Sequence, residues 1–348
     1  MSIGHSKWKY LLIAACTAAA ALVTTAPRAF AGQPAGGESC KAYSLPVRIS
    51  DPGPATQMLW GELCQPLDSR PTTVQLLVHG GFYNHIYWDF PVGDGYYSYV
   101  SHAVAAGYAT FNVDPIGSGN SSHPLSSLVT GEAGAVALHD AITDLRDGAL
   151  DGQAFKKVVW VGQGLGSFYA WFEIPKYHDV DAAILTGALS GYNPAHAAIA
   201  AANTYPAVDD PKFADSGYDT GYMTTKPGTR GSMFYYPATA DPAVVAEDEE
   251  TKDVVPTAVT TPATAPYGIQ VPVLVLDGAQ DWLTCQGVTA YNCADPASVR
   301  AFESGFYLPA AKLQVELVPD TGSDMALSTT APITDAIMLH WAGAVAAP

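Results

Sequence analysis

The chain has 348 residues, 48% of them hydrophobic, which is enough for one large domain or two ordinary domains with a packed core. Its formal charge of −17 argues against nucleic acid or an anionic membrane as a partner. The composition therefore excludes a disordered or fibrous protein and indicates an acidic globular one.

The N-terminus has the three parts of an export signal. Lys7 and Lys9 supply the positive charge near its start, an apolar stretch follows at 11–23, and a small-x-small cleavage site ends it at Ala29-Phe30-Ala31. We therefore predict a signal peptide over residues 1–31 and a secreted protein that does not insert stably into a membrane after cleavage. With 13 basic and 33 acidic residues left, its charge is −20. The alternative is a lipoprotein box ending at Cys16, which would anchor the protein through a lipid.

Four cysteines follow the signal: Cys40, Cys64, Cys285 and Cys293. An even count in an exported chain suggests two disulfides. Three connectivities are possible, and we favour the two pairs that are local in sequence. A zinc site is the alternative, but no Cys-x-x-Cys spacing or Cys/His cluster supports it. We expect neither a metal nor a cofactor.

Short β-rich runs alternate with helical stretches after the signal, which is typical of a mainly parallel sheet covered by helices on both faces. The segments around 46–49 and 57–63 favour a leading antiparallel hairpin. The other predicted strands are 74–79, 109–114, 157–162, 182–186, 271–277 and 312–318. The predicted helices are 97–106, 131–146, 165–174 and 332–344.

The interval 190–266 breaks this alternation and is rich in Pro, Gly, Tyr and Asp. A structureless loop of that length is unexpected in a compact domain. We interpret it as a cap between two parts of a core, 32–189 and 267–348, lying over the carboxyl edge of the sheet, where ligands bind. Its aromatic side chains either line an apolar pocket or form the core of the cap itself. They are Tyr192, Tyr205, Tyr218, Tyr222, Phe234, Tyr235 and Tyr236.

A buried strand turns sharply into a helix at 158–167, where glycines stand at positions 162, 164 and 166. Alone, such a turn could also hold a phosphate. Four other segments favour a different interpretation. They are Leu77-Val78-His79-Gly80-Gly81, Val113-Asp114-Pro115-Ile116-Gly117-Ser118-Gly119, Leu276-Asp277-Gly278-Ala279-Gln280-Asp281 and Val318-Pro319-Asp320-Thr321-Gly322-Ser323-Asp324.

Together and in this order, the segments resemble the α/β-hydrolase superfamily: an HGG oxyanion loop, a G-x-S-x-G nucleophile elbow, a cap, a triad acid and a histidine loop. The resemblance implies the α/β-hydrolase fold, with a mainly parallel eight-stranded sheet, helices on both faces and an inserted cap. It places the triad acid at Asp281. The residues it implies for the oxyanion hole and pocket are Gly80, Gly81, Phe82, Asp114, Gln163 and Leu165.

Two triad positions lack the residue that the family mechanism needs. Gly164 stands at the position of the serine nucleophile, and Ser323 stands at the position of the histidine base. The serine route requires a nucleophilic Oγ and an imidazole that takes and returns its proton. The sequence therefore predicts a protein that is not a conventional serine hydrolase. Ser167 does not replace the nucleophile, because the turn presents only the elbow position.

Three functions are compatible with this pattern. The leading hypothesis is a secreted protein that binds a small apolar organic molecule and catalyses a cyclisation, isomerisation or elimination in metabolite biosynthesis. The oxyanion hole would polarise a carbonyl, and Asp281 would act as acid or base. The second is a ligand-binding pseudoenzyme without catalysis. The third is a secreted esterase with a rearranged catalytic set, for which His85 and His196 are the histidines of most interest.

Overall fold

The computed structural model describes Met1 and residues 37–260 and 263–348. Apart from Met1, the predicted signal peptide, including Cys16, lies outside these residues. Within the described part of the chain, no helix is both long and apolar enough to cross a membrane.

The strands of the described residues build one large sheet and one small one. The strands are β1 Glu38–Val47, β2 Gln57–Pro66, β3 Thr73–Val78, β4 Ala109–Asp114, β5 Lys157–Gln163, β6 Ala182–Thr186, β7 Thr204–Pro206, β8 Tyr222–Thr225, β9 Val255–Pro256, β10 Val273–Gly278 and β11 Gln314–Val318. The large sheet has eight strands in the order β1-β2-β4-β3-β5-β6-β10-β11. Its first two pairings are antiparallel and the other five are parallel. The predicted mainly parallel eight-stranded sheet is thus confirmed.

Helices cover both faces of this sheet. The helices of the described residues are α1 Tyr99–Ala105, α2 Gly131–Asp147, α3 Leu165–Tyr177, α4 Pro194–Ala202, α5 Arg230–Phe234, α6 Pro242–Thr251, α7 Pro296–Glu303 and α8 Ala331–Val345. Those that pack on the sheet are α1, α2, α3, α7 and α8. Side chains of β10 point alternately into two apolar clusters, as the strand pleat requires. One cluster contains residues of α2, α3 and α7, and the other contains residues of α1 and α8. Central strands buried on both faces explain the continuous apolar runs in the sequence.

The leading hairpin begins earlier than the sequence indicated. Its first strand is β1, over Glu38–Val47, and not the segment around 46–49. Most side chains of this edge strand are exposed, so it lacks the apolar alternation by which a strand is recognised. Cys40 lies directly opposite Cys64 in the β1–β2 register. The structure pairs these two cysteines, and Cys285 with Cys293, as disulfides.

The segment between β6 and β10 has regular structure of its own. It contains α4, α5, α6 and a three-stranded antiparallel sheet in the order β7-β8-β9. Tyr218 and Tyr222 pack with Phe213 in a small apolar cluster within this segment. Tyr235 instead joins the cluster of α1 and α8, and Tyr192 is 58% exposed. The cap aromatics therefore serve several separate packing roles.

Candidate active site

The turn from β5 to α3 consists of one residue, Gly164. Its backbone angles, φ +50° and ψ −113°, lie where side-chain-bearing residues are strongly disfavoured. A Cβ on Gly166 would lie 2.0 Å from the carbonyl oxygen of Val78, so glycine is required there for the helix to pack on the sheet. A Cβ on Gly164 would meet nothing closer than the Cα of Gly80, at 3.8 Å. Position 164 thus has room for a side chain, and only its backbone conformation opposes one.

Asp281 and Ser323 meet at the ends of two neighbouring strands. Asp281 follows β10 and Ser323 follows β11, and these strands pair in parallel. The Ser323 hydroxyl donates a 2.5 Å hydrogen bond to Oδ2 of Asp281. Oδ1 of Asp281 accepts from the backbone N–H groups of Leu283 and Thr284, at 2.6 and 2.8 Å. Asp281 is 1% exposed, and its side chain accepts all three of these hydrogen bonds.

Gly187 brings these residues close to the elbow. It follows β6, and a Cβ on it would lie 3.4 Å from the carbonyl oxygen of Ser323 and 3.8 Å from the backbone nitrogen of Gly164. The Gly164 N–H donates to the carbonyl of Thr186, at 2.8 Å. The three positions predicted for the triad therefore converge at the carboxyl edge of the sheet.

A small cavity lies against the loop that follows β3. Its volume of about 10 Å³ suits a single water molecule. Of the six predicted oxyanion-hole and pocket residues, Gly80, Gly81 and Leu165 line it, and so do residues 254–256 of the inserted segment. The Leu165 N–H is the first of α3 and has no carbonyl partner within the helix. None of the cap aromatics lines this cavity.

The other three predicted pocket residues have different surroundings. Phe82 has φ +69°, and its carbonyl accepts from the Asp253 N–H at 2.9 Å and from Arg230 Nη1 at 3.1 Å. The Gln163 side chain packs against Gly80, since a Cβ on that glycine would lie 2.0 Å from Gln163 Oε1. Neither Phe82 nor Gln163 lines the cavity.

Asp114 is fully buried and anchors the loop after β3 to the end of β4. It accepts from the His85 N–H at 2.7 Å, from His85 Nδ1 at 2.9 Å and from the Asn120 N–H at 2.8 Å. His79 Nε2 lies 3.5 Å from Oδ1 of Asp114, the oxygen that also accepts from the His85 N–H. Burial would raise the pKa of Asp114, but the hydrogen bonds from His79 and His85 hold that pKa well below its usual range. These contacts give Asp114 and His85 a structural role.

Two further side chains considered in the sequence also have structural contacts. The Ser167 hydroxyl is buried and donates to the Thr186 carbonyl at 3.0 Å. The His196 ring stacks on Trp282 with 4.4 Å between ring centroids, and its Nδ1 lies 2.6 Å from the Trp282 carbonyl oxygen.

A buried polar network near the site was not found by sequence reasoning. Arg230 forms a bidentate pair with Asp248, at 2.9 and 2.7 Å, and its guanidinium lies 4.3 Å from the ring centroid of Tyr83. The Tyr83 hydroxyl donates to Asp324, the neighbour of Ser323. Burial raises the pKa of Asp324 well above its ordinary value. Asp324 lies in a segment that the sequence singled out, whereas nothing in the sequence marks Arg230.

The fold defines an α/β-hydrolase scaffold. The chain belongs to the alpha/beta hydrolase family, which its sequence matches over residues 75–335. No curated protein matches it.

Solved structures show the same fold at low sequence identity. An esterase from Thermogutta terrifontis is 18% identical with a TM-score of 0.57, and the match covers 88% of this chain and 99% of that one. An enol-lactonase from Burkholderia xenovorans is 13% identical with a TM-score of 0.59, covering 86% and 99%. The naproxen esterase of Bacillus subtilis is 15% identical with a TM-score of 0.56, covering 87% and 92%.

Proposed function

We propose that this member of the family has lost covalent serine hydrolysis and binds a small organic molecule at the carboxyl edge of the sheet, next to Gly164. One observation carries the proposal: the elbow residue has no side chain, and the hydroxyl at the histidine position is bonded to Asp281. Without Oγ and imidazole no acyl-enzyme forms. The loss is confined to covalent chemistry, because the scaffold around both positions is intact.

The backbone donors support a reaction that needs no covalent intermediate. The Leu165 N–H at the start of α3 and the loop at Gly80 and Gly81 border one cavity. Amide donors placed there would polarise a carbonyl, as cyclisations, isomerisations and eliminations require. Hydrolases stripped of triad members retain about 10³- to 10⁴-fold catalysis from binding and the oxyanion hole. A reaction of that kind is the activity that this site supports best.

Ligand binding requires the cavity to open. Its volume of about 10 Å³ is far below the roughly 300 Å³ of the smallest common ligand pockets. Residues 254–256 form the wall contributed by the inserted segment. The strand there, β9, pairs with β8 through two residue pairs, and the adjacent N–H groups of Asp253 and Thr257 bond to the carbonyls of Phe82 and Gly221, so opening the cavity would strain or break these bonds. We place the ligand's route between this strand and the loop after β3.

A non-catalytic ligand-binding protein is the second candidate, and the surroundings of Asp281 favour it. This carboxylate is buried and accepts three hydrogen bonds, which leaves it poorly placed to exchange a proton with a ligand. Incubation with candidate ligands followed by mass spectrometry separates the two, because a binder returns its ligand unchanged.

The experiment that tests the loss of hydrolysis compares the wild type with Gly164→Ser, Ser323→His and the double variant. Each is treated with a fluorophosphonate probe and with p-nitrophenyl acetate. We expect no labelling and no turnover in the wild type, and labelling with esterase activity in the double variant. Stoichiometric labelling of the wild type, or turnover that Asp281→Asn abolishes, would overturn the proposal. Ser167→Ala is the control for labelling at the nearby serine.

We also propose that the chain is exported. The paired cysteines support this, since disulfides persist in oxidising compartments. Intact-mass and N-terminal analysis of protein recovered from the culture medium should show a chain that begins near Gly32. A lipid-modified Cys16 in the membrane fraction would support the anchored alternative instead.

A further inference from the structure

A second cluster of ionisable side chains lies far from Gly164, where α2 packs against α3. His139 lies on α2, Glu173 on α3, and Asp179 in the loop between α3 and β6. Glu173 is eight residues beyond the start of α3, about 12 Å along the helix axis. This distance places the cluster near the amino end of β6, away from the carboxyl edge that carries the elbow.

The three side chains are close enough to share one ion. Each offers one ligand atom, and these atoms lie within 4.8 Å of one another. His139 Nδ1 is 2.6 Å from Asp179 Oδ2. The His139 ring stacks on Tyr177 with 3.7 Å between ring centroids and 4° between the planes, which fixes its orientation. The imidazole and one carboxylate are therefore already oriented toward each other.

The burial of Glu173 is an independent indication that this cluster binds a cation. The Glu173 side chain is fully buried, and neither carboxylate oxygen has a hydrogen-bond partner among the described residues. Oδ1 of Asp179 is buried and unpartnered as well. A buried carboxylate is costly unless a cation or a proton neutralises it. Three carboxylate oxygens of this cluster thus lack the partner that their burial demands.

The neighbouring basic side chains make other contacts. The guanidinium of Arg146 bonds to the carbonyl oxygens of Asp179 and Lys156 and to the carboxylate of Asp181, at 2.7, 3.0 and 2.7 Å. Lys176 lies 3.9 Å from Asp51. No salt bridge joins either side chain to Glu173 within the described residues.

We propose that His139, Glu173 and Asp179 bind one divalent transition-metal ion of the Zn²⁺ class. One imidazole and two carboxylates suit Zn²⁺, Mn²⁺ or Fe²⁺, whereas Mg²⁺ and Ca²⁺ prefer oxygen ligands alone. Tetrahedral coordination with bonds of about 2.0 Å places ligand atoms about 3.3 Å apart, below the 4.8 Å limit of the cluster. His139 Nδ1 and Asp179 Oδ2 are 2.6 Å apart, so they would separate by about 0.7 Å as the ion replaces the proton between them. The side chains of His139 and Asp179 are 23% and 15% exposed, so an ion and a completing water reach the site from solvent.

The ion has a structural role in this arrangement. It joins α2 to the end of α3 and to the loop that leads into β6. Its position at the opposite end of α3 from Gly164 separates it from the proposed ligand site. Binding stabilises the fold in proportion to the logarithm of free metal concentration once that exceeds the dissociation constant.

The test uses the full exported chain, free of affinity tags and dialysed against a chelator, with ZnCl₂ as the probe. Isothermal titration and elemental analysis should show one Zn²⁺ per chain, and the thermal midpoint should rise with added Zn²⁺. Glu173→Gln and His139→Ala should each weaken binding by at least about 100-fold, since loss of even an outer-shell partner of a metal ligand weakens binding by about 10- to 100-fold.

His102→Ala is the matched control. His102 Nδ1 lies 2.6 Å from Asp335 Oδ2, the same distance as in the His139–Asp179 pair, but no third metal-ligand side chain joins them among the described residues. This variant should bind Zn²⁺ as the wild type does. Equal binding in the wild type, Glu173→Gln and His139→Ala would overturn the proposal.

The competing explanation is a proton shared by Glu173 and Asp179. In that case the wild type binds no Zn²⁺ at a stoichiometric level, and the proposal fails. If a variant does not fold, as judged by circular dichroism, the Co²⁺ complex of the wild type decides. One equivalent of Co²⁺ should give visible absorption bands that Zn²⁺ displaces, and the absence of such bands would reject the site.

Discussion

The Ser323 hydroxyl donates a 2.5 Å hydrogen bond to the buried carboxylate of Asp281. In a serine triad the acid instead bonds to the imidazole of the base and orients it. Serine thus satisfies the acid but has no group that could take a proton from a nucleophile near neutral pH.

We predict that Ser323→Ala destabilises the protein by about 1.5–3 kcal/mol, because Oδ2 of Asp281 loses a charge-assisted hydrogen bond while remaining buried. Urea unfolding followed by circular dichroism measures this. Ser304→Ala is the control, since the Ser304 hydroxyl bonds to Arg300 at an exposed position. Equal stability of Ser323→Ala and the wild type would show that water replaces the lost donor.

Gly164→Ala should lower the free energy of unfolding by about 1–3 kcal/mol, the cost of holding a side-chain-bearing residue in a disfavoured backbone conformation. Sterics do not contribute, since the added Cβ meets nothing closer than 3.8 Å. Gly343→Ala is a control for which we expect a change in the free energy of unfolding of the opposite sign. Gly343 is exposed inside α8, so alanine should stabilise by about 0.5–1 kcal/mol. A Gly164→Ala variant as stable as the wild type would mean that the elbow relaxes.

Arg230→Ala should cost about 3–5 kcal/mol, because it leaves the buried carboxylate of Asp248 without its bidentate partner. Thermal and denaturant unfolding report the change. The double variant Arg230→Met/Asp248→Leu should recover most of it, since an apolar pair replaces the buried ions. Lys41→Ala, which removes an exposed ion pair with Asp151, should have little effect. If the double variant is as unstable as Arg230→Ala, the lost stability comes instead from the contacts of Arg230 with Tyr83 and Phe82.

Glu303 should make stability fall as pH rises. Burial raises its pKa to about 7, although hydrogen bonds from Ser190 oppose the shift. The folded state therefore binds more protons than the unfolded state between the ordinary value of 4.5 and about 7. Stability falls across that window by on the order of 3 kcal/mol, and the contribution of Glu303 does not change with pH on either side of it.

The measurement for Glu303 is denaturant unfolding from pH 4 to pH 8 on the wild type and Glu303→Gln. Gln resembles the neutral acid at every pH. The free energy of unfolding of Glu303→Gln should therefore rise relative to that of the wild type as pH rises. Buried carboxyls whose raised pKa does not depend on Glu303, such as Asp335, act equally on both proteins and cancel. If the free energies of unfolding of the two proteins differ by the same amount at every pH, the prediction is wrong.

The sequence by itself determined the fold and the order of its loops. The strands β4 and β6 were predicted with their observed bounds, because each is a short buried run between turn residues. The elbow at Gly164 was recognisable because its glycines lie close together in the chain. A local pattern of this kind is visible without tertiary structure, since backbone geometry and burial act over a few residues.

Only the tertiary structure decided which distant side chains meet. The bond between Ser323 and Asp281, the Arg230–Asp248 pair beneath Tyr83 and the unpartnered carboxylate of Glu173 all depend on packing between separate elements. A charged residue that becomes buried has no local signal, because its burial depends on which elements pack against it. For the same reason the sequence did not predict the β1 edge or the narrow cavity beneath residues 254–256, which follow from strand pairing and packing across the chain.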